Sequence, residues 1–317
     1  MTHDLRDSND GKRAIYGDVD LAPASHFYSI THDILGDPFW AIYRRGLKDA
    51  AEQLECCVHH LAPEYFSPPL MASLIDEARV SGAAGILTTV PDISAVDLPI
   101  RRAIEDGIPV IAVNAADPRP VGERIPYFFY IGGSDFAAGQ SVGRRLLAQG
   151  QSTAGLAVDH YLVDNACHSA RCDGFIHALH SDSVSAERLR VPGDDHEKSV
   201  SMIVDYLSQH EDVDIVCTLG PPGFRSVDEA LHRLNLNDRV RHASFDLAMD
   251  QLTAIEDGRL SFTVDSQQYL QGYLGVTCLK LYVSRGVKPE GDIVTGPAMV
   301  DLSNLTQAVV GVKAGIR

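Results

Sequence analysis

Residues 155–175 read GLAVDHYLVDNACHSARCDGF. The first six form a short apolar run ending in Asp159 and His160, the pattern of a buried strand reaching its carboxyl end. A polar loop containing Asn165 follows, and then a helix that carries Arg171 and runs through Phe175. Strand, loop and helix in this order make half of a βαβ unit, so the fold turns on how often the unit recurs. The same stretch holds two histidines, two cysteines and three aspartates. A metal site and a Cys/His catalytic centre therefore have to be weighed against a ligand-binding loop.

The unit recurs along the whole chain. HFYSIT, CCVHHL, GILTTV, IPVIAVN, YFFYIGG, GLAVDH, RLRV, DIVCTL, RHASFD and LSFTV are strand candidates, mostly β-branched or aromatic and bounded by Gly, Pro, Asp or Asn. Helix-length stretches separate them. Between residues 39 and 54, Phe39, Tyr43, Leu47, Ala50 and Leu54 share one face, and between 268 and 285 Gly272, Val276, Leu279 and Val283 do. This alternation predicts an α/β protein with parallel sheets, right-handed crossovers and helices on both faces. Ten strands are many for one open sheet in 317 residues, so two doubly wound domains are expected. The glycine pair of YIGGSD, near residue 132, is the first candidate hinge.

Composition removes several classes of function. Hydrophobic residues make up 45% and charged residues 22%, the balance of a globular protein, and no apolar run approaches a membrane span. With 27 Lys and Arg against 43 Asp and Glu, the net charge of −16 disfavours nucleic acid and anionic membranes as partners. Residues 1–25 are polar and lack the basic start and apolar centre of a secretory signal. Six cysteines are too few for a disulfide scaffold, and Cys217 and Cys278 lie in apolar contexts that predict buried thiols. P-loop, G-x-G-x-x-G, G-x-S-x-G, H-E-x-x-H and calcium-loop patterns are absent. Cys167 and Cys172 lack a second pair at zinc spacing, and Cys56 and Cys57 would point to opposite faces of a strand. No metal and no cofactor are expected.

In doubly wound sheets ligands bind beyond the carboxyl ends of the strands. Here those ends carry Asp, Asn, His, Gln and aromatic residues with few cations. Such a lining suits a neutral polyhydroxylated ligand and suits phosphate badly. Arg171 is either a surface arginine or a cation at the cleft, where its fork of donors can hold two ligand oxygens.

THDILGDPFW, VNAADP, VDNACHSARCDGF, LGPPGF, SFDLAMD and DSQQYLQGYLGV stand in an order and spacing that resembles type I periplasmic sugar-binding proteins. These are the solute receptors of ABC transporters in the ribose-binding protein group, and the likeness runs from Phe27 to Leu302. It looks closest to a subgroup handling simple sugars or sugar alcohols. The resemblance implies two Rossmann-like lobes joined by three crossovers and closing on a ligand between them. Lobe 1 would hold residues 26–131 and 267–296 and lobe 2 residues 132–266 and 297–303, with a polar N-terminal tail at 1–25 and a C-terminal tail at 304–317.

The resemblance also implies the site. Asp37, Phe39, Trp40 and Asn114 would face the ligand from lobe 1, the two aromatics stacking on its C–H face. His160, Asn165, Arg171 and Asp246 would face it from lobe 2, with Gln267 at the hinge and His32, Asp92 and Gln268 supporting from behind. Two positions depart from the ribose pattern, Gly220 for an asparagine and Ala115 for an arginine, so ribose itself is not implied. The implied protein has no catalytic residue, acts as a periplasmic monomer, and presents its closed form to a membrane permease. Three rival readings are a sugar-responsive repressor, an enzyme on the same sheet, and a sensor subunit. The repressor would need a DNA-binding module where only about 25 polar residues precede the first strand.

Overall fold

The computed structural model describes residues 25–33, 38–65, 67–161 and 166–317. The chain first lays down β1 (His26–Ile30), α1 (Pro38–Gln53), β2 (Cys57–Leu61), α2 (Pro68–Val80), β3 (Gly85–Thr88), α3 (Ile93–Glu105), β4 (Val110–Val113) and β5 (Tyr130–Gly132). It continues with α4 (Asp135–Leu147), β6 (Ala154–Tyr161), α5 (Ala166–Ser181), β7 (Ser185–Pro192), α6 (His196–Gln209), β8 (Val213–Thr218) and α7 (Pro221–Arg233). Then come β9 (Arg241–Phe245), α8 (Met249–Glu256), β10 (Phe262–Asp265), α9 (Gln268–Arg285), β11 (Ile293–Val294), β12 (Ala298–Val300) and α10 (Leu305–Lys313).

These strands form two six-stranded sheets of one topology, β11-β5-β4-β3-β1-β2 and β12-β10-β9-β8-β6-β7. All pairings are parallel except that of β12 with β10. The ten strands expected from the sequence are all present. The two that sequence reading missed, β11 and β12, are two and three residues long, too short to show a period.

Alternation along the central strands explains the layers. In lobe 1 Ile86, Val110 and Ala112 pack under α2 and α3, while Leu87, Ile111 and Val113 pack under α1 and α9. In lobe 2 Ala157, Cys217 and Phe245 pack under α4 and α5, and Leu156, Val158 and Val216 under α6 and α7. Strands buried on both faces read as the continuous apolar runs seen in the sequence. Helix α2 is started by Ser67, whose hydroxyl accepts from the Leu70 N–H, and by the two prolines that follow. Helix α9 spans the stretch predicted for it and ends at Gly286, where a φ of 68° closes the last turn.

Helices α4 and α5 meet backbone to backbone. A Cβ on Gly174 would lie 2.0 Å from the Phe136 carbonyl oxygen, and one on Gly139 2.0 Å from that of Arg171. Only glycine allows that approach.

The chain passes between the sheets three times, after β5, after β10 and between β11 and β12. Gly132 and Gly133 lie in the first passage, where the sequence placed its candidate hinge. Thr295 ties the passages together: its N–H donates to the Gly132 carbonyl (2.9 Å) and its hydroxyl to that of Ser266 (3.2 Å). Residues 304–317, expected as a tail, are instead structured. Helix α10 buries Ala308 against the α8 residues Leu252 and Ile255, and Arg317 Nε donates to buried Asp265 Oδ2 at 2.9 Å.

Candidate functional site

In a sheet of this order the crossovers run to opposite faces on either side of one strand pair, leaving a crevice beyond its carboxyl end. That pair is β1/β3 in lobe 1 and β6/β8 in lobe 2. Ile30 pairs with Thr88 and Val158 with Thr218, so His32 and His160 occupy corresponding places, each two residues beyond. His32 donates through its N–H to the Thr89 hydroxyl, and its Nδ1 is 3.0 Å from the same oxygen. Burial pushes its imidazole down to about 4 against the opposing pull of Asp33 and Asp135. His160 is driven down to about 3 by burial and then by His168. Both rings are neutral at ordinary pH and can either donate or accept. Gly220 and Gly223 leave room for the second ring: a Cβ on Gly223 would sit 3.0 Å from His160 Nδ1.

A second correspondence joins the ends of β4 and β9. Asn114 and Asp246 have φ values of 62° and 61°, left-handed for residues other than glycine. Each is held there by its N–H, which donates to Ile131 (3.0 Å) in one lobe and Val264 (2.7 Å) in the other. Tyr130 Oη donates to the Asn114 carbonyl and Thr263 Oγ1 to the Asp246 carbonyl (2.7 Å). Such conformations cost about 1–3 kcal/mol each and persist where the surroundings over-determine them, which is characteristic of ligand sites.

Arg171 lies between these features. Its side chain is 10% exposed, and Nε donates to Asp135 Oδ1 at 2.8 Å. Nη1 donates to the Leu219 carbonyl at 3.2 Å and stands 3.5 Å from Asp246 Oδ2. The guanidinium lies 4.5 Å from the centre of the Phe245 ring, a cation–π contact. Burial pulls its pKa down, but Asp135 and Asp246 more than offset this and leave it raised. Arg171 is therefore a buried, permanently charged group and not a surface arginine. Cys172 and Phe175 pack behind it in the lobe 2 core.

The structure gives several of the other expected residues surroundings within the protein itself. Trp40 was expected to stack on a ligand, but it is 3% exposed in the lobe 1 core, edge-on to His32, Phe39 and Tyr43. Position 40 shares the helical stripe of Tyr43 and Leu47, which faces the sheet. Phe39, one position round the helix, is half-buried at the edge of that core. Gln267 spends its amide nitrogen on the Thr295 carbonyl, which ties two passages of the hinge. Asp92 caps α3, accepting from Ser94 N–H at 2.9 Å and from its hydroxyl at 2.6 Å. Gln268 is buried, and its Oε1 has no partner among the described residues. Asp37 and Asn165 lie outside the described residues.

The sequence reading missed Asp135, Tyr130 and Cys167. Asp135 stands within electrostatic reach of His32 of lobe 1 and accepts from the Cys167 thiol. Burial and then Asp135 hold that thiol up at about 12, so it stays protonated. An aspartate in the first turn of a helix reads as a dipole partner, which hides any second role.

The Cys/His density that suggested a metal is absorbed elsewhere. Asp159 is buried and bound by Arg188 Nη2 (2.5 Å), with His168 at 3.4 Å. Burial raises its pKa, but His168 and Arg188 outweigh this and bring it to about 2. Among the described residues one trio, His196, Glu197 and Glu229, has potential ligand atoms within 4.8 Å of one another. Arg233 pairs with both of its glutamates, as expected of a surface ion-pair cluster. Among the described residues a groove of about 980 Å³ along α7 meets the candidate site only at His160, and its rim charges pair off as Arg225–Asp250 and Arg259–Asp228.

Two lobes of repeated topology, with polar residues gathered at the carboxyl ends of their strands, define a bilobal binding protein. Residues 29–286 match the family model of the periplasmic binding protein domain, and the chain belongs to that family. It is similar to the xylose/arabinose-binding protein XylF of Sulfolobus acidocaldarius, at 28% identity over 305 residues, 92% of this chain and 74% of that protein. Among solved structures it is similar to a carbohydrate transporter protein of Acidothermus cellulolyticus in complex with myo-inositol. That pair shares 30% identity and a TM-score of 0.79, covering 93% of this chain and all of the other. A periplasmic sugar-binding protein of a Legionella pneumophila ABC sugar transporter gives 26% identity and a TM-score of 0.75 over 86% of this chain and 99% of its own. Members of the family are binding proteins, and among the described residues no helix is long and apolar enough to cross a membrane.

Proposed function

We propose that the chain is the solute-binding component of an ABC sugar transporter, taking a neutral monosaccharide or sugar alcohol between its lobes. The observation that carries this reading is the set Asp135–Arg171–Asp246, a guanidinium between two carboxylates on a site flanked by two neutral imidazoles. Ligand hydroxyls can donate to the carboxylates and accept from the guanidinium, while the excess negative charge disfavours anions. The relatives named for xylose and arabinose, and the one bound to myo-inositol, support a pentose or a cyclic polyol as the first compounds to test.

Binding would draw His32, Asn114 and the region of Phe39 towards His160, Arg171 and Asp246 by bending at the three passages. The ligand would stabilise the closed form by bridging both lobes. Asp37 and Asn165 remain part of the proposed ligand shell, with His32 and Gln268 supporting it. The closed monomer would then be what a permease recognises on the outer side of the membrane. Micromolar affinity requires about −8 kcal/mol, within reach of a few charge-assisted hydrogen bonds in a site closed to water.

A thermal-shift and calorimetric panel of pentoses, hexoses, tetritols, pentitols, hexitols and inositols tests the reading. A small related set should stabilise the protein by RT ln(1 + [L]/Kd). If every compound leaves the melting temperature unchanged at millimolar concentration, the reading is wrong.

A further inference from the structure

Asp135 begins α4, directly after the chain leaves the first passage between the lobes. Its place against Arg171 depends on the near-contact of α4 and α5 that Gly139 and Gly174 permit. Among the described residues the carboxylate takes donors from Arg171 Nε at 2.8 Å and from the Cys167 thiol. A sugar carboxylate binds arginine best along one edge of the guanidinium, through two parallel N–H groups. Here the Nε position is occupied by Asp135, Nη1 serves Leu219 and faces Asp246, and the guanidinium lies over the Phe245 ring. Among the described residues Arg171 is one positive group against the two carboxylates of Asp135 and Asp246, with His32 and His160 neutral beside it, and Asp37 of the proposed ligand shell would add further negative charge.

We propose that Asp135 determines specificity: by pairing with Arg171 it withholds the guanidinium from ligand carboxylates and leaves the site with an excess of negative charge, so neutral sugars enter and sugar acids do not. The inference rests on the sugar-binding reading and adds the ligand class that the site refuses. Like charges a few ångströms apart in a partly buried site repel strongly enough to shift affinity by tenfold or more, by order-of-magnitude reckoning.

The test measures dissociation constants near neutral pH for D-xylose, D-galactose and myo-inositol, and for D-xylonate and D-galacturonate. The proteins are the wild type, Asp135→Asn and Asp135→Glu. The wild type should bind at least one neutral compound and neither acid. Asp135→Asn keeps a hydrogen-bonding side chain but removes the charge, so the ratio of acid to neutral Kd should fall by roughly tenfold or more. Asp135→Glu should preserve the exclusion. A folded Asp135→Asn protein with an unchanged ratio overturns the inference and leaves the sugar-binding reading standing. Should that variant fail to fold, the wild type still decides: binding of an acid as tightly as its neutral counterpart overturns the inference. Failure of the wild type to bind any neutral compound overturns the reading itself and the inference with it.

Discussion

Removing Arg171 tests the site and the fold at once, because the side chain serves both. Arg171→Ala deletes a 2.8 Å ion pair to Asp135, a 3.2 Å bond to Leu219, a 3.5 Å contact with Asp246 and the stacking on Phe245. Breaking a buried ion pair from one side costs about 3–5 kcal/mol, because the partner charge is left uncompensated. Two carboxylates are left facing one site here, so the upper part of that range applies to stability. At about 2–4 °C per kcal/mol for a unit the size of one lobe, the melting temperature should fall by roughly 10 °C. Affinity should fall further than stability alone explains, by about 2–4 kcal/mol or roughly 30- to 1,000-fold. Arg171→Lys separates the two effects. An ammonium restores the charge between Asp135 and Asp246 but lacks the planar fork that bonds Asp135, Leu219 and a ligand hydroxyl at once. Much of the melting temperature should return while affinity stays low. Calorimetric titration with the best sugar of the panel, beside a thermal melt, reads both quantities. Ligand binding by Arg171→Ala within threefold of wild type, at an unchanged melting temperature, would refute the assignment.

Three further outcomes follow from the geometry. Trp40→Ala should lower stability by about 3–5 kcal/mol in urea titrations, and Trp40→Phe should bind ligand nearly as well as wild type, since the indole packs in the core; a folded Trp40→Phe protein without affinity would restore the stacking role. Gly174→Ala should cost more than 2 kcal/mol, because its Cβ meets the Phe136 carbonyl at 2.0 Å and α4 must move away from α5; a melt unchanged by the substitution would show that the helices separate freely. Stability should also fall with acid. Burial depresses His242 to about 3 in the folded state, below the ordinary 6.5, and His160 and His32 lie near 3 and 4. Between pH 6.5 and these values the unfolded chain takes up protons that the folded chain refuses, so stability is complete above 6.5 and drains away below it. His242, 1% exposed, should account for about 2 kcal/mol by pH 5, and the half-buried His32 and His160 for less. Urea midpoints at pH 7 and pH 5 measure the loss, and His242→Asn should reduce it; equal slopes in the two proteins would remove His242 from the account.

The fold was legible because its information is local. Strands buried on both faces must be apolar throughout, and the helices between them must carry an apolar stripe, so GILT, VIAV and FTVD announced themselves. The ends of those strands were legible too, since a doubly wound sheet puts ligand chemistry there, while Arg171, Asp246 and His160 were named as ligand contacts through the family resemblance. Helix α10 and strands β11 and β12 were not, because a short segment takes its shape from what it docks against.

What sequence determined, then, is the alternation of strands and helices, the two-sheet architecture and the polar strand ends. Tertiary structure alone decided which of those polar groups act together. Asp135 and Arg171 are 36 positions apart and become partners only because two glycines let their helices touch. Trp40 and Phe39 are neighbours in the chain, yet one fills the core and the other lies at its edge, because 100° of helical rotation separates them. Charge compensation and burial depend on distances between residues remote in sequence, and no periodicity along the chain encodes them.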